Sequence, residues 1–345
     1  MEDETVEAEF DRFISWCQGK SELYRTYCER IVEDQELRKF IGEIDASNRP
    51  YTLFAAVHFL LLEDDSHGLS DYYPSVSGDP RQPGEGDPGE LFSDFCLQNR
   101  DRIRELTESR KVQTNEIRRC AALLPGFAYL SRKIEGSVSM VEVGASAGLN
   151  LSWDSYSYRY HGYREIEGEG PVMECKVREG SPPIDVNLEV KEKVGIDINP
   201  LDVSEEEDRR WLKALTWPEH RERRERLEKA MNLAHEQSPE IVEGDAVEDL
   251  ERVVSQLDDP VIIYGTQVLW ALEPDRVQDF LETVGELQED REIYCLFGER
   301  GGLEWLMGDR SSDEEVWLEV FEHPGELQKL GEYDVHGEWL KWQIQ

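Results

Sequence analysis

From residue 138 onward, short apolar runs alternate with helical stretches, and this alternation restricts the fold more than any other feature of the chain. The apolar runs fall at 138–143, 193–197, 240–243, 261–264 and 292–297. Most carry Val, Ile and Met without a polar face, as strands do when a parallel sheet buries them on both sides. Helical periodicity fills the intervals at 205–215, 218–234, 273–287 and 302–307. The end of the chain reads differently. Val316, Leu318 and Val320 alternate with Trp317, Glu319 and Phe321, and a last run covers 337–344. These two segments are expected to pair as an antiparallel hairpin at a sheet edge. The expected fold class is therefore α/β, a seven-stranded Rossmann-like sheet with a C-terminal antiparallel hairpin.

Before residue 136 the pattern is helical. Phe10, Phe13, Ile14 and Cys17 share one helical face, and Leu23, Tyr24, Tyr27, Cys28 and Ile31 share another. Further helical runs cover 51–62, 91–107 and 115–133. Proline and glycine crowd the stretch 74–90, which excludes helix and strand there. The expected organisation is a mostly helical cap domain over 1–135 and a Rossmann-like domain over 136–345.

Charge limits the partners. The chain carries 76 acidic and 38 basic residues, a net charge of −38. Such a surface repels nucleic-acid backbones and anionic membranes, so neither is an expected partner. Arginine outnumbers lysine, 27 to 11, and abundant carboxylate with little lysine suits an acidic protein of halophilic type. The six cysteines show no C-x-x-C spacing, which fits a reduced, cytoplasmic setting. The N-terminal MEDETVEAEF is acidic and does not read as a signal peptide. The seven histidines show no H-E-x-x-H or other metal spacing, so no metal is expected.

The stretch MVEVGASAGLN, at 140–150, reads as a strand, a turn of small residues and the start of a helix. Two chemistries use that outline. As G-x-S-x-G it would expose Ser146 as a nucleophile, with Asp275 and then His323 or His336 following in chain order. That elbow needs earlier strands and an oxyanion loop, and the residues upstream are helical with no His-Gly-Gly. A dinucleotide fingerprint would need glycine where Ser146 and Leu149 stand. The other spacing is Glu142, Gly144 and Gly148. Glycines after a first buried strand let a ligand approach the backbone. Asp197 and Asp245 then end the next two strands, so three strand ends converge on one crevice.

With GID and GDA after those strands, and with the closing hairpin, the second domain resembles the class I S-adenosylmethionine-dependent methyltransferases. Over roughly residues 10–300 the chain also resembles the DUF2332 family of uncharacterised proteins. The segments that carry this resemblance include AAVHFLL, RKVQTNEIRRCAALLP, VEVGASAGLNLSWDSYSYRY and RWLKALTWPEHRERRERLEKA. The methyltransferase resemblance implies S-adenosylmethionine as cofactor. Glu142 and the turn of Gly144, Ala145, Ser146 and Gly148 would hold its methionine end. Asp197 would take the ribose hydroxyls, and Asp245 with Ala246 would flank the adenine. The interval from Glu142 to Asp197 far exceeds the roughly 20 residues usual between a glycine loop and its ribose acid. Residues 156–190 are therefore expected to be an inserted β excursion over the site.

Substrate-facing groups are expected after the fourth strand, where Tyr264, Thr266, Gln267 and Trp270 are the catalytic candidates. Gln113, Asn115 and Arg118 either roof the crevice from the cap or simply open a helix, with Thr114 as its N-cap. Arg221, Arg223, Arg224, Arg226 and Lys229 form a local cluster, which helical Glu/Arg pairing explains without an anionic ligand. The leading expectation is methyl transfer to a small molecule. A non-catalytic, ligand-binding member of the fold is the second reading, and a serine hydrolase using Ser146 the third.

Overall fold

The computed structural model describes residues 2–46, 48–113, 115–308, 315–321 and 326–344. Thr114 and His323 lie outside the described residues. The chain forms two compact units, cut differently from the division at 135/136. Residues 1–114 and 204–228 make one unit, and 115–203 with 229–345 make the other.

The first unit holds α1 (Glu2–Cys17), α2 (Glu22–Glu33), α3 (Gln35–Gly42), α4 (Arg49–Glu63), α5 (Pro88–Gln98) and α6 (Arg100–Ser109). The run expected at 91–107 is two helices, broken at Asn99, whose amide caps the Phe95 carbonyl. Aromatic rings fill the core. Tyr24 stacks on Phe54 at 4.4 Å and Tyr27 on Phe92 at 4.3 Å. Residues 206–214 return to this unit as a helix, and the helix after it starts here too. In that helix Arg221 pairs with Glu225 at 2.7 Å, and Arg224 donates to the carbonyls of Pro218 and Pro74.

The second unit opens with a single 3-10 turn, Ile117–Arg119, and then α7 (Cys120–Leu130). The expected helix over 115–133 is shorter because Glu116 caps the 3-10 turn through the Arg118 N–H. Next come β1 (Ser137–Val143), β2 (Ser157–His161), β3 (Arg164–Ile166), β4 (Val172–Glu179) and β5 (Glu189–Asp197). The helix over 206–214 is α8 (Glu206–Ala214), and α9 (Arg221–Gln237) begins in the first unit and ends in the second. Then follow β6 (Glu240–Glu243), α10 (Leu250–Val254), β7 (Val261–Thr266), α11 (Pro274–Asp290), β8 (Ile293–Arg300) and α12 (Gly302–Leu306). The chain closes with β9 (Val316–Phe321), β10 (Gln328–Tyr333) and β11 (Trp339–Trp342).

Among the described residues eleven strands, not the expected seven, join one mixed sheet, in the order β3-β2-β4-β11-β10-β9-β8-β7-β1-β5-β6. The five strands β6-β5-β1-β7-β8 are parallel and follow the doubly wound order 3-2-1-4-5. Val141, Val143 and Ile263 on one face pack with Val253, Val277 and Phe280 from α10 and α11. On the other face, α7 approaches closely enough that a Cβ on Gly126 would strike Leu296 of β8.

Two further expectations are corrected. The segments at 315–321 and 337–344 do not pair with each other. β10 lies between β9 and β11 and is antiparallel to both, so the end is a three-strand meander. The 156–190 segment is no cover over the crevice. Its strands extend the sheet, β4 pairing in parallel with β11 at the edge far from β5. The chain thus leaves β1, builds that far edge and returns to β5 beside β1. This detour accounts for the long interval between Glu142 and Asp197.

Candidate functional site at the switch point

Strand order reverses at β1. β5 lies on one side of it and β7 on the other. Ligands of doubly wound sheets bind outside the carboxyl ends of the strands at such a point. Here that place is the 144–148 loop. Gly144, Ser146 and Gly148 all adopt left-handed backbone, with φ of 70°, 51° and 68°. At Gly144 only glycine fits, because a Cβ there would overlap Val268. No α-helix follows the loop. Residues 149–155 form a kinked 3-10 helix, so the strong helix dipole of a phosphate-binding loop is missing.

The loop donates its N–H groups to its own protein. Gly144 and Ala145 donate to the Ile196 carbonyl at 2.9 and 3.1 Å, and Gly148 donates to the Ala145 carbonyl at 2.8 Å. Ser146 donates to Asp197 Oδ2 at 2.7 Å. Asp197 is 7% exposed, and its Oδ1 accepts from the Asn199 N–H at 2.8 Å.

Beneath the loop lies a polar cluster. Glu142 is 2% exposed. Its Oε1 accepts from Asn150 Nδ2 at 2.9 Å, and Asn150 Oδ1 in turn accepts the Cys120 thiol at 3.3 Å. Glu142 Oε2 is buried without a hydrogen bond. Burial pushes the Glu142 carboxyl up to about 8, with the Asn150 bond opposing and the Asp197 charge adding to the rise. At neutral pH it is therefore mostly a neutral acid.

Tyr264 is the register partner of Glu142 on β7. It is fully buried, its hydroxyl has no hydrogen bond, and its ring meets Phe127 edge-on at 5.2 Å. The strand end expected to present Tyr264 to substrate instead buries it beside Glu142. Thr266 ends β7 and is partly exposed. Gln267 sits at φ 54°, with its N–H and Nε2 both donating to the Gly298 carbonyl. Trp270 is 45% exposed, and its Nε1 donates to the Gln267 carbonyl at 3.0 Å.

Asp245 follows β6. Its Oδ1 accepts from the N–H groups of Val247 and Glu248 and pairs with Arg276 at 2.7 Å, which leaves Oδ2 available. Ala246 packs on the sheet core. Asn115 reaches the loop, its Nδ2 donating to Ser146 Oγ at 2.6 Å. Arg118 does not roof the crevice. It donates to the His336 carbonyl at 2.9 Å and pairs with Glu338 at 2.8 Å. Gln113 belongs to the first unit.

A family model described as "Uncharacterized protein conserved in bacteria (DUF2332)" matches residues 7–342. The chain belongs to the DUF2332 family. No curated protein and no solved structure gives a significant match. Among the described residues of this DUF2332 protein, no group of His, Cys, Asp and Glu could hold a metal ion. No helix among them is long and apolar enough to cross a membrane.

Three further residues, which no motif in the sequence marked, belong to this candidate site. Asn150 ends the motif itself and clamps Glu142. Ile198, directly after Asp197, is 73% exposed at the end of β5. A β-branched residue following a strand-ending acid was the available signal. Glu299 on β8 is fully buried and accepts the N–H groups of Val268, Leu269 and Trp270 at 3.0 to 3.3 Å. Burial raises its carboxyl to about 7, against the pull of those bonds and of Arg119.

Proposed function

We propose that the second unit binds S-adenosylmethionine at the 144–148 loop and directs its methyl group to a small-molecule acceptor. The observation that carries this reading is the loop's hydrogen bonding. Four N–H groups, of Gly144, Ala145, Ser146 and Gly148, are already satisfied within the protein. A pyrophosphate would find none of these four donors. S-adenosylmethionine has no phosphate and asks only for close approach to backbone, which the glycines permit.

Around the loop, Asp197 at the end of β5 would meet the ribose hydroxyls and Asp245 Oδ2 after β6 an adenine amine. Ile198 offers apolar surface to a flat ring. The cofactor brings the activated methyl group. The protein's share is to orient it and the acceptor in line, which supplies much of such a rate.

The engagement of Asp197 and Asp245 within the chain favours a second reading, a non-catalytic member that binds the same ligand. The hydrolase reading has less support. The partner of Ser146 Oγ is the Asn115 amide, a donor that cannot accept the serine proton.

Thermal unfolding with S-adenosylhomocysteine tests the binding claim. A ligand present at about 100 times its Kd should add about 2.7 kcal/mol and raise Tm. An unchanged Tm with both this product and the cofactor counts against it.

A further inference from the structure

At the carboxyl end of β8, Arg300 carries a guanidinium that no carboxylate among the described residues answers. It is partly buried, and its Nε is buried with no hydrogen-bond partner. Acids outnumber bases 76 to 38 in this chain, and comparable arginines of the same unit are paired, Arg118 with Glu338 and Arg276 with Asp245. Only its Nε is shut away from water without a partner, so the rest of the guanidinium is free to take an anionic ligand. The adjacent acid does not serve, because Glu299 directs both its oxygens to the N–H groups of Val268, Leu269 and Trp270.

Beside Arg300 stands Trp270, the guanidinium 5.8 Å from its ring centroid. Trp270 is 45% exposed, yet its indole Nε1 is held by the Gln267 carbonyl at 3.0 Å and its backbone N–H by Glu299 Oε2 at 3.2 Å. It is a held apolar face rather than a loose surface side chain. β7 and β8 are adjacent and parallel, so both residues lie at the same edge of the sheet as the 144–148 loop.

We propose that Arg300 and Trp270 form the acceptor subsite, taking a small ring-bearing carboxylate whose ring lies on the indole and whose carboxylate meets the guanidinium. The proposal deepens the methyl-transfer reading and names its substrate class. A planar guanidinium matches a carboxylate with two parallel bonds. A monoanion also suits a single cation in a strongly acidic protein better than a phosphate dianion does.

The test is calorimetric titration of the full chain with benzoate and with its neutral isostere, benzamide. Benzoate should bind about tenfold or more tightly than benzamide, the difference of one charge-assisted pair. Arg300→Gln should erase that preference, Arg300→Lys should retain part of it, and Trp270→Leu should weaken both ligands. Absence of benzoate binding, equal binding of the two probes, or a benzoate preference that survives Arg300→Gln overturns the subsite. Titration of the wild type with S-adenosylmethionine separates the two claims. Arg300-dependent benzoate binding without cofactor binding would remove the methyl-transfer reading and leave the subsite standing.

Discussion

The carboxylate of Asp197, at the end of β5, accepts the backbone N–H of Ser146 at 2.7 Å and so fastens the glycine loop to the neighbouring strand. Ser146 needs that support, since its φ of 51° is unfavourable for a residue with a side chain. Asp197→Ala removes a buried charge-assisted bond and leaves the Ser146 N–H unmet. It should cost about 2–3 kcal/mol of stability, read by urea unfolding. A loss within about 0.5 kcal/mol, the range of ordinary surface substitutions, would show that the loop holds itself.

Gly144 and Val268 occupy the two sides of the switch point. Gly144→Ala brings a Cβ onto Val268 and places it at φ 70°. The left-handed conformation alone costs about 1–2 kcal/mol, and the overlap adds to that. Adding Val268→Ala should recover the overlap but not the conformational part. A double-mutant cycle in chemical denaturation measures the coupling, and strict additivity would contradict the contact.

Burial holds Glu142 at about 8, above its ordinary 4.5. Between those values the folded chain binds more protons than the unfolded one, so stability falls as pH rises. Glu299 and Glu319, both raised to about 7, act in the same direction. Glu142→Gln has no proton to lose there. Its stability relative to wild type should climb from about pH 5 to about pH 8, by at most about 1.4 kcal/mol per unit. Unfolding curves at the two ends of that window measure it, and a difference independent of pH would mean that Glu142 is ionised throughout.

Ser146 should not react with a fluorophosphonate, because the Asn115 amide holds its hydroxyl and offers no base. Mass spectrometry of the treated protein settles this. A Ser146 adduct, lost in Ser146→Ala, would restore the hydrolase reading.

The parallel strands were the most legible part of the chain. At 261–264 an apolar run buried on both faces marks β7, and at 240–243 the expected and observed bounds coincide around the half-buried Ile241 and Val242. β10 left no such signal. Its Glu332 is buried, but Lys329 and Lys341 neutralise it at 2.8 and 3.0 Å, so a charged sequence could form an inner strand. The far edge was hidden for another reason. The tyrosines of β2 marked a strand, but nothing local encodes the pairing of β4 with β11.

At the site, the glycine spacing and the acids after β5 and β6 could be read directly. The fate of Tyr264 could not, because it follows from its register opposite Glu142. Nor could the exposure of Ile198 or the lack of a carboxylate partner for Arg300 among the described residues, since both depend on how the rest of the fold packs around them.

Calorimetric titration of the full chain with S-adenosylmethionine, beside Asp197→Ala, bears most directly on the proposed function. The expected result is one site per chain in the wild type and about tenfold or greater weakening in the variant, the loss of roughly one hydrogen-bonded contact to the ribose and of the loop's anchor. No heat from wild type with either the cofactor or its demethylated product would contradict it.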